Sequence, residues 1–493
     1  MSSSAHFPDS DSFQRQSDEF ITWLAGNPGV RLNSKISIAD LRSKSAGRGV
    51  VARSDIFDGE ELFSIPRGLV LSAQNSKLKD LLSHDLEELG PWLSLILVMM
   101  YEYLLGEQSA WAPYFKVLPK SFDTLMFWSP SELQELQGSA IVSKIGKEGA
   151  EDSIMQMIAP VVRANTSLFP PVEGLASWDG EAGSQALLGL AHIMGSLIMA
   201  YAFDIEKVED EDDEDNDEED GYVTDDEQDQ SSKGMVPLAD ILNADADRNN
   251  ARLFQEEDSL VMKAIKPIQA GDEIFNDYGE LPRADLLRRY GYVTDNYAPY
   301  DVVELSLDQI CRSAGLQSAD IESQPPLAFL EDLELLDDGY VVPRPSPENS
   351  LLTDILPDEL LLLLKTLTLS PEQLEHQKSK SKPPKPSFGH AEAAILLKTI
   401  QLLGSQYPTT IAQDEEVLSR LIQSEASQPL NQSDRRQKMA IQVRLGEKYI
   451  LQTLADILDE VITKSAQSNG GSSLKRSANG DCGDSRKTKA PRN

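Results

Sequence analysis

Three short stretches hold residues whose types and spacing could do chemistry. Asn276-Asp-Tyr-Gly279 sets a tyrosine beside a glycine after an apolar run. A tyrosine hydroxyl at a strand end can orient a nucleophile or tune a proton; Tyr278 alone also reads as a half-buried core tyrosine. Ala46-Gly-Arg-Gly-Val50 is a glycine-X-glycine turn, where missing side chains let backbone amides approach a ligand. By itself it is also an ordinary turn, and it lacks the longer dinucleotide-binding fingerprint. Asn243 closes Ala239-Asp-Ile-Leu-Asn243 and reads equally as a helix or turn cap.

The elements that must position these residues follow from periodicity. Phe20, Ile21, Trp23 and Leu24 have helical spacing, ended by Gly26-Asn-Pro-Gly29. Residues 1–17 are rich in Ser and Asp and are expected to be a mobile tail. Ile36–Asp40, the run entered from the Ala46–Gly49 turn, and the stretch after Asp58-Gly59 read as strands and turns. From about Lys77 to Phe203 the period becomes helical, with stripes at Leu93, Ile96, Leu97, Met100 and at Leu187, Leu190, Met194, Leu197, Ile198. Met235–Val293 returns to β character, with strands at Leu260–Ile265 and Glu273–Phe275 and a short helix at Pro282–Arg289. Beyond Ala298 the chain reads as helices at 356–367, 392–403, 414–422 and 440–462, with a Lys/Pro linker at 379–387. A helical block thus separates two β-like blocks, and a second helical block follows.

The chain has 493 residues and a net charge of −36. Such acidity repels nucleic acid phosphates and suits basic proteins, as well as simple solubility. Residues 206–230 hold sixteen acids and one lysine, too polar to fold alone, and are expected to be a solvated loop. Cys311 and Cys482 build neither a disulfide framework nor a zinc cluster, which points to a reducing, intracellular location. The five histidines show no metal-binding spacing, so no metal is expected. Met1-Ser-Ser-Ser-Ala-His-Phe lacks the basic start and apolar run of a signal peptide. The apolar run Trp92–Leu105, interrupted by Glu102, reads as a core helix too short to span a bilayer.

Taken in order, the glycine turn, Ala239-Asp-Ile-Leu-Asn243, and the tyrosines of Tyr278-Gly279 and Tyr290-Gly-Tyr292 resemble a SET-domain protein-lysine methyltransferase. The resemblance is to the Rubisco large-subunit and SET-domain-containing-6 subgroup, nearest its fungal ribosomal members. Asn243-Ala244-Asp245 and Leu286–Val293 carry it. Trp111-Ala-Pro-Tyr-Phe115, Ala200-Tyr-Ala-Phe203 and Tyr407–Glu415 also match, while the acidic block, the Lys/Pro loop and both tails do not. The fold it implies is α+β. A β-rich SET domain with a knotted C-terminal segment is split by a helical insert and followed by an all-α substrate-binding domain. In this chain the implied order is SET part 18–84, insert 85–205, acidic loop 206–232, SET part 233–296, helical domain 297–465 and basic tail 466–493. The sequence departs from many SET enzymes in having Ala244 where they carry histidine, and in lacking the cysteines of a post-SET zinc cluster.

By position, the resemblance implies that Ala46, Gly47, Arg48, Gly49, Tyr201, Asn243, Ala244 and Tyr278 bind S-adenosyl-L-methionine. Trp111, Ala202, Asp204, Asp240, Tyr290 and Tyr292 would border the channel for the substrate lysine, and Tyr278 would be the catalytic residue, orienting amine and methyl. Tyr292 lies near a position that is Phe or Tyr in such enzymes, and a tyrosine there implies mainly monomethylation. The lysine must be neutral to attack, although its free pKa is about 10.4, and an apolar channel disfavours the ammonium.

The expected partner is a basic protein, a 60S ribosomal protein first, with no direct nucleic acid, no membrane, and a monomeric chain. Lys475-Arg476 with Arg486–Lys489 resembles a bipartite import signal and implies a nuclear location. The competing expectations are a histone or other nuclear substrate, a non-catalytic SET-like binding module, and an acidic escort for basic proteins.

Overall fold

The computed structural model describes residues 10–42, 46–206, 232–316, 321, 323–346 and 352–470, with side chains to 464. The acidic block beyond Glu206 and the basic C-terminal clusters lie outside the described residues. The chain divides into two compact units, Met1–Asp301 with Pro408–Glu447, and Val302–Tyr407 with Lys448–Asn493.

The first unit opens with helix α1 (Ser10–Ala25) and strands β1 (Arg31–Leu32), β2 (Ile36–Asp40), β3 (Arg48–Ala52) and β4 (Glu61–Pro66). Helices α2 (Leu78–Leu81), α3 (Ser83–Leu105), α4 (Ala112–Val117), α5 (Pro130–Leu133), α6 (Lys147–Ser153), α7 (Ala159–Ala164) and α8 (Gly180–Tyr201) form the insert. Then come β5 (Ala202–Ile205), β6 (Ser232–Met235), β7 (Asn243–Ala244), β8 (Ala251–Gln255), β9 (Ser259–Ala264), β10 (Glu273–Asn276) and helix α9 (Arg283–Tyr290).

Helix α1 begins well before the expected end of the tail. Phe13, Ser17, Phe20 and Leu24 recur one helical turn apart, and all four are buried. Polar residues between them hide the stripe from a reading of composition.

Two four-stranded sheets carry the β structure, ordered β1-β4-β9-β8 and β2-β3-β10-β7. Their inner strands are apolar on both faces: Leu62, Phe63 and Ile65 on β4, and Leu260, Val261 and Met262 on β9, are buried. The edge strand β8 instead alternates, with Ala251 buried and Arg252 exposed. In the second sheet β10 runs antiparallel to β3, pairing Ile274 with Val50. It runs parallel to β7 on its other side, pairing Phe275 with Asn243. That arrangement places the glycine turn, Asn243 and the approach to Tyr278 at one end of the sheet.

Helices α3 and α8 are each long and apolar enough to cross a membrane by length and composition. The helical run containing Trp92 is therefore longer than the sequence suggests. It begins at Ser83, with a break at Gly90 (φ +69°) before Pro91. Here α3 and α8 pack on each other and their leucines, isoleucines and methionines join the main core.

Helix α15 (Ile411–Ser427) and the first part of α16 (Gln432–Gly470, to Glu447) also belong to the first unit. The sequence reading placed them in the C-terminal helical block. Charge pairing accounts for the difference: Asp123 accepts from Arg435 at 2.6 Å and Arg436 at 3.3 Å. Arg444 bonds Asp414 at 2.8 Å and Glu135 at 2.8 Å. Met439, Ala440 and Val443 share a small core with Leu125, Trp128 and Leu287.

The second unit holds β11 (Val302–Ser306), α10 (Leu307–Ser313), α11 (Pro325–Glu331), β12 (Gly339–Pro343), α12 (Asp358–Leu367), α13 (Pro371–Lys380), α14 (His390–Gly404) and the rest of α16. It is not all-α: β11 and β12 pair antiparallel, Leu305 opposite Tyr340. Leu360, Leu363, Leu364, Leu396 and Ile400 centre its own core. Helix α13 takes the start of the expected Lys/Pro linker, nucleated by the Ser370–Gln373 capping box.

Candidate active site

A cavity of about 510 Å³ opens at the edge of the second sheet. Ala46, Gly47, Arg48, Tyr201, Asp240, Asn243, Ala244, Tyr278, Tyr290 and Tyr292 line it. These come from the loop before β3, the end of α8, the turn before β7, the loop after β10 and the end of α9. Residues almost 250 apart in sequence therefore share one wall system. A shallower, open depression of about 720 Å³ runs along α1 past Asp11, Arg15, Trp23 and Pro113 and holds none of these residues.

Asn243 is not a helix cap: it lies on β7 and lines the cavity. Its amide nitrogen donates to the Arg48 carbonyl at 3.2 Å and to Glu273 Oε1 at 2.7 Å. That pins β7 to β3 and β10 and leaves the cavity rim fixed. Gly49 lies behind the lock: a Cβ there would come 2.8 Å from Glu273 Oε1 and 2.9 Å from the Asn243 amide nitrogen. The second glycine of the turn thus serves the close approach of Asn243 and is not in the cavity wall.

Arg48 borders the cavity, but its side chain is committed elsewhere. It donates to Ser17 Oγ at 3.1 Å, Gln16 Oε1 at 3.1 Å and the Val117 carbonyl at 3.1 Å. Its guanidinium lies 3.9 Å from the Phe13 ring centroid. Burial lowers its pKa to about 10, which leaves it charged at neutral pH.

The aromatic end of the cavity is built on one stack. Tyr278 and Tyr290 lie with ring centroids 4.4 Å apart at 13°, and Tyr292 leans on Tyr290 at 6.2 Å. The Tyr278 hydroxyl donates to the Leu242 carbonyl at 3.3 Å. Burial raises the phenols of Tyr201, Tyr278 and Tyr292, and that of Tyr290 to about 12; neighbouring phenols add to the first three, with Asp240 acting on Tyr201 and Tyr278 and Asp245 on Tyr292. All therefore stay protonated at neutral pH. As neutral phenols they can donate and accept hydrogen bonds and are not bases.

Asp240 faces this end and is only 8% exposed. The buried Tyr114 hydroxyl donates to its Oδ2. Burial raises the Asp240 carboxyl to about 7, against the opposing Tyr114 hydrogen bond. The preceding Leu238 sits at φ +78°, a strained setting for a leucine, and turns the chain into this segment.

Three expected channel residues lie outside the cavity. Trp111 is buried in the core, its indole donating to the Leu69 carbonyl at 2.9 Å. Ala202 and Asp204 are on β5, and Asp204 pairs with Lys233 at 2.6 Å. The turn after α8 directs Tyr201 inward and the strand that follows away, so adjacency in sequence misleads here. Residues not singled out include Leu118, Pro119, Asp245, Arg248, Asn250, Glu273 and Phe275. Arg248 binds Asp245 at 2.6 Å and covers the Phe275 ring at 4.7 Å. The Asn243-Ala244-Asp245 motif and the Trp111–Phe115 connector with Tyr114 were the available signals for this group.

The SET domain family matches residues 47–279, and the Rubisco LSMT substrate-binding family matches residues 323–451. The chain is 37% identical over 309 residues to ribosomal lysine N-methyltransferase 4 of Saccharomyces cerevisiae, covering 61% of this chain and 60% of that protein. It is 29% identical over 488 residues to N-lysine methyltransferase SETD6 of Rattus norvegicus, covering 92% of each. Solved structures of similar fold include the SET domain of LSMT bound to lysine and AdoHcy, with TM-score 0.67, 21% identity, and 93% and 94% of the chains covered. Rubisco LSMT bound to AdoMet gives TM-score 0.64 at 22% identity, covering 92% and 93%. The chain belongs to the SET-domain protein-lysine methyltransferases that carry a Rubisco LSMT-type substrate-binding domain.

Proposed function

We propose that this lysine methyltransferase modifies a lysine of a basic protein, a protein of the 60S ribosomal subunit being the first candidate. Its methyl donor is S-adenosyl-L-methionine, which supplies an electrophilic methyl group on a sulfonium when bound. The observation that carries the reading is the single cavity joining the Ala46–Asn243 wall to the Tyr278–Tyr290 stack.

The residues fit the donor. The cavity is of ligand size, within the range of about 300–1,000 Å³ typical of small-molecule sites. Its glycine turn offers main-chain groups, and Asn243, Glu273 and Asp245 supply polar side chains on the same wall. Ala46, Gly47, Asn243 and Ala244 would hold the donor there. The tyrosines exclude water and disfavour the ammonium form of an entering lysine, while the Tyr278 hydroxyl orients the amine.

The ribosomal assignment rests on the yeast relative's name and on the net charge of −36, which favours encounter with basic proteins. We assign mainly monomethylation from the hydroxyl of Tyr292 at the aromatic end, and a nuclear, monomeric enzyme from the basic tail and the basic substrate. Incubation with isotopically labelled donor and fractionated 60S proteins, followed by peptide mapping, tests the reading. Label on one lysine of one large-subunit protein, as monomethyllysine, is the expected result. Label confined to histones would remove the ribosomal assignment, and trimethyllysine at low turnover would remove the monomethylation.

A further inference from the structure

We propose that Asp240 accepts the proton of the substrate ammonium and that Tyr114 is the positioning residue that holds it for this task. The proposal rests on the methyltransferase reading above and adds the route by which the lysine becomes a nucleophile.

Three observations carry it. Asp240 lines the cavity beside Tyr278, Tyr290, Tyr292 and Tyr201. Its two oxygens differ: Oδ2 accepts from the Tyr114 hydroxyl, whereas Oδ1 is buried and has no partner at full hydrogen-bond geometry among the described residues, although the Asp240 and Leu238 backbone amides lie near enough to favour the carboxylate. Burying a carboxylate oxygen without a donor is costly, so an unpaired oxygen on a residue that lines the cavity marks the place of a donor brought by a ligand. The turn that carries Asp240 also carries the Leu242 carbonyl, which receives the Tyr278 hydroxyl. One short turn thus sets both the orienting group and the carboxylate.

The groups facing Asp240 contain no base that competes. Tyr114 comes from α4, Tyr201 from α8, Tyr278 from the loop after β10, and Tyr290 and Tyr292 from α9 and the residues after it; burial holds all of these phenols protonated. Of the charged residues on the rest of the cavity wall, Arg48 is turned to Ser17 and Val117, Arg248 to Asp245, and Glu273 receives Asn243. Asp272 lies at the sheet-edge end with them.

The step balances. One proton passes from the lysine ammonium to Oδ1, leaving a neutral amine and a carboxylic acid. The amine lone pair forms the N–C bond as the methyl C–S bond breaks, and that electron pair stays on sulfur. The methylated nitrogen carries the positive charge away, and the carboxyl proton returns to solvent before the next turnover. The carboxyl titrates at about 7, so it is ionised and able to accept at slightly alkaline pH.

n-Butylammonium binding to the full-length protein saturated with S-adenosylhomocysteine, followed by calorimetry across pH, tests the proposal without turnover. In the wild type, affinity should rise as pH passes about 7. In Asp240→Asn it should fall at least about tenfold and lose this pH dependence. In Tyr114→Phe the midpoint should move to higher pH, because the donated hydrogen bond that lowers the carboxyl pKa is gone. In methyl transfer, Asp240→Asn should recover by about tenfold per pH unit towards the lysine pKa of about 10.4. Equal butylammonium affinity in Asp240→Asn and wild type, an unmoved midpoint in Tyr114→Phe, or a uniform rate loss with an unchanged pH profile would each overturn the proposal. Failure of the wild type to bind S-adenosylhomocysteine would instead overturn the methyltransferase reading beneath it.

Discussion

Tyr278 and Tyr290 stack at 4.4 Å, and the two rings reach each other from opposite ends of one chain reversal. Tyr278 follows β10, whereas Tyr290 ends α9. Gly291 then turns the backbone at φ +75° towards Tyr292. The geometry of the aromatic end is therefore set by what lies beneath Gly291. That support is the Asp123–Thr124 turn, which Arg435 and Arg436 hold from the first part of α16.

A side chain at Gly291 should disturb this arrangement. A Cβ would come 2.8 Å from the Thr124 nitrogen and 2.9 Å from the Asp123 carbonyl carbon, both backbone atoms. Gly291→Ala is expected to cost about 1–3 kcal/mol of stability. It should also lower kcat more than donor affinity, since Tyr290 and Tyr292 move while the Asn243 wall does not. Thermal melting, initial rates and S-adenosylhomocysteine calorimetry check this.

Arg48 and Asn243 border the same cavity but should fail differently. Arg48→Met removes four hydrogen bonds into α1 and α4 and should cost about 2–4 kcal/mol, chiefly as lost stability in urea. Asn243→Ala breaks the lock to Glu273 at the rim. It should weaken S-adenosylhomocysteine binding by about tenfold or more with a smaller loss of stability.

Arg283 and Asp301 form a buried pair at 2.6 Å, and Gly446 of α16 packs on it. Asp301→Ala leaves a buried guanidinium short of its main partner and should cost about 3–5 kcal/mol. Gly446→Ala should destabilise too, because its Cβ would meet both side chains. Replacing Arg283 and Asp301 together by apolar residues should recover most of the loss, as read by urea unfolding.

Asp240 gives stability a pH dependence of definite sign. Its carboxyl titrates at about 7 in the folded chain and at about 3.9 when unfolded. The folded state therefore binds the extra proton, and its contribution to stability is lost as pH rises from about 4 to 7. Asp240→Asn has no carboxyl to ionise, so its stability relative to wild type should improve across that window. Parallel melting curves at either end of the window would contradict this.

The sequence made the β framework legible where apolar runs are bounded by turn residues, as at Asp58-Gly59 before β4. It made Asn243, Tyr278 and the glycine turn legible as parts of one motif set. It hid whatever depends on pairing distant in the chain. β11 and β12 pair across more than thirty intervening residues, and neither has a local turn signal. The grouping of 408–447 with the first unit depends on arginines meeting Asp123, Glu132 and Glu135, which no helical period reveals. Within the site, side-chain direction was the missing quantity. Arg48 sits at the cavity but points away from it, Trp111 turns into the core, and Tyr114, inside a recognised motif, reaches Asp240 from below.

The central claim is methyl transfer to lysine at the Tyr278 end of the cavity. Mass spectrometry of lysine products formed with labelled S-adenosylmethionine, for wild type and Tyr278→Phe side by side, tests it most directly. The account predicts methyllysine from the wild type and at least about a hundredfold less from Tyr278→Phe, with S-adenosylhomocysteine still bound. Equal methyllysine from both proteins would contradict it.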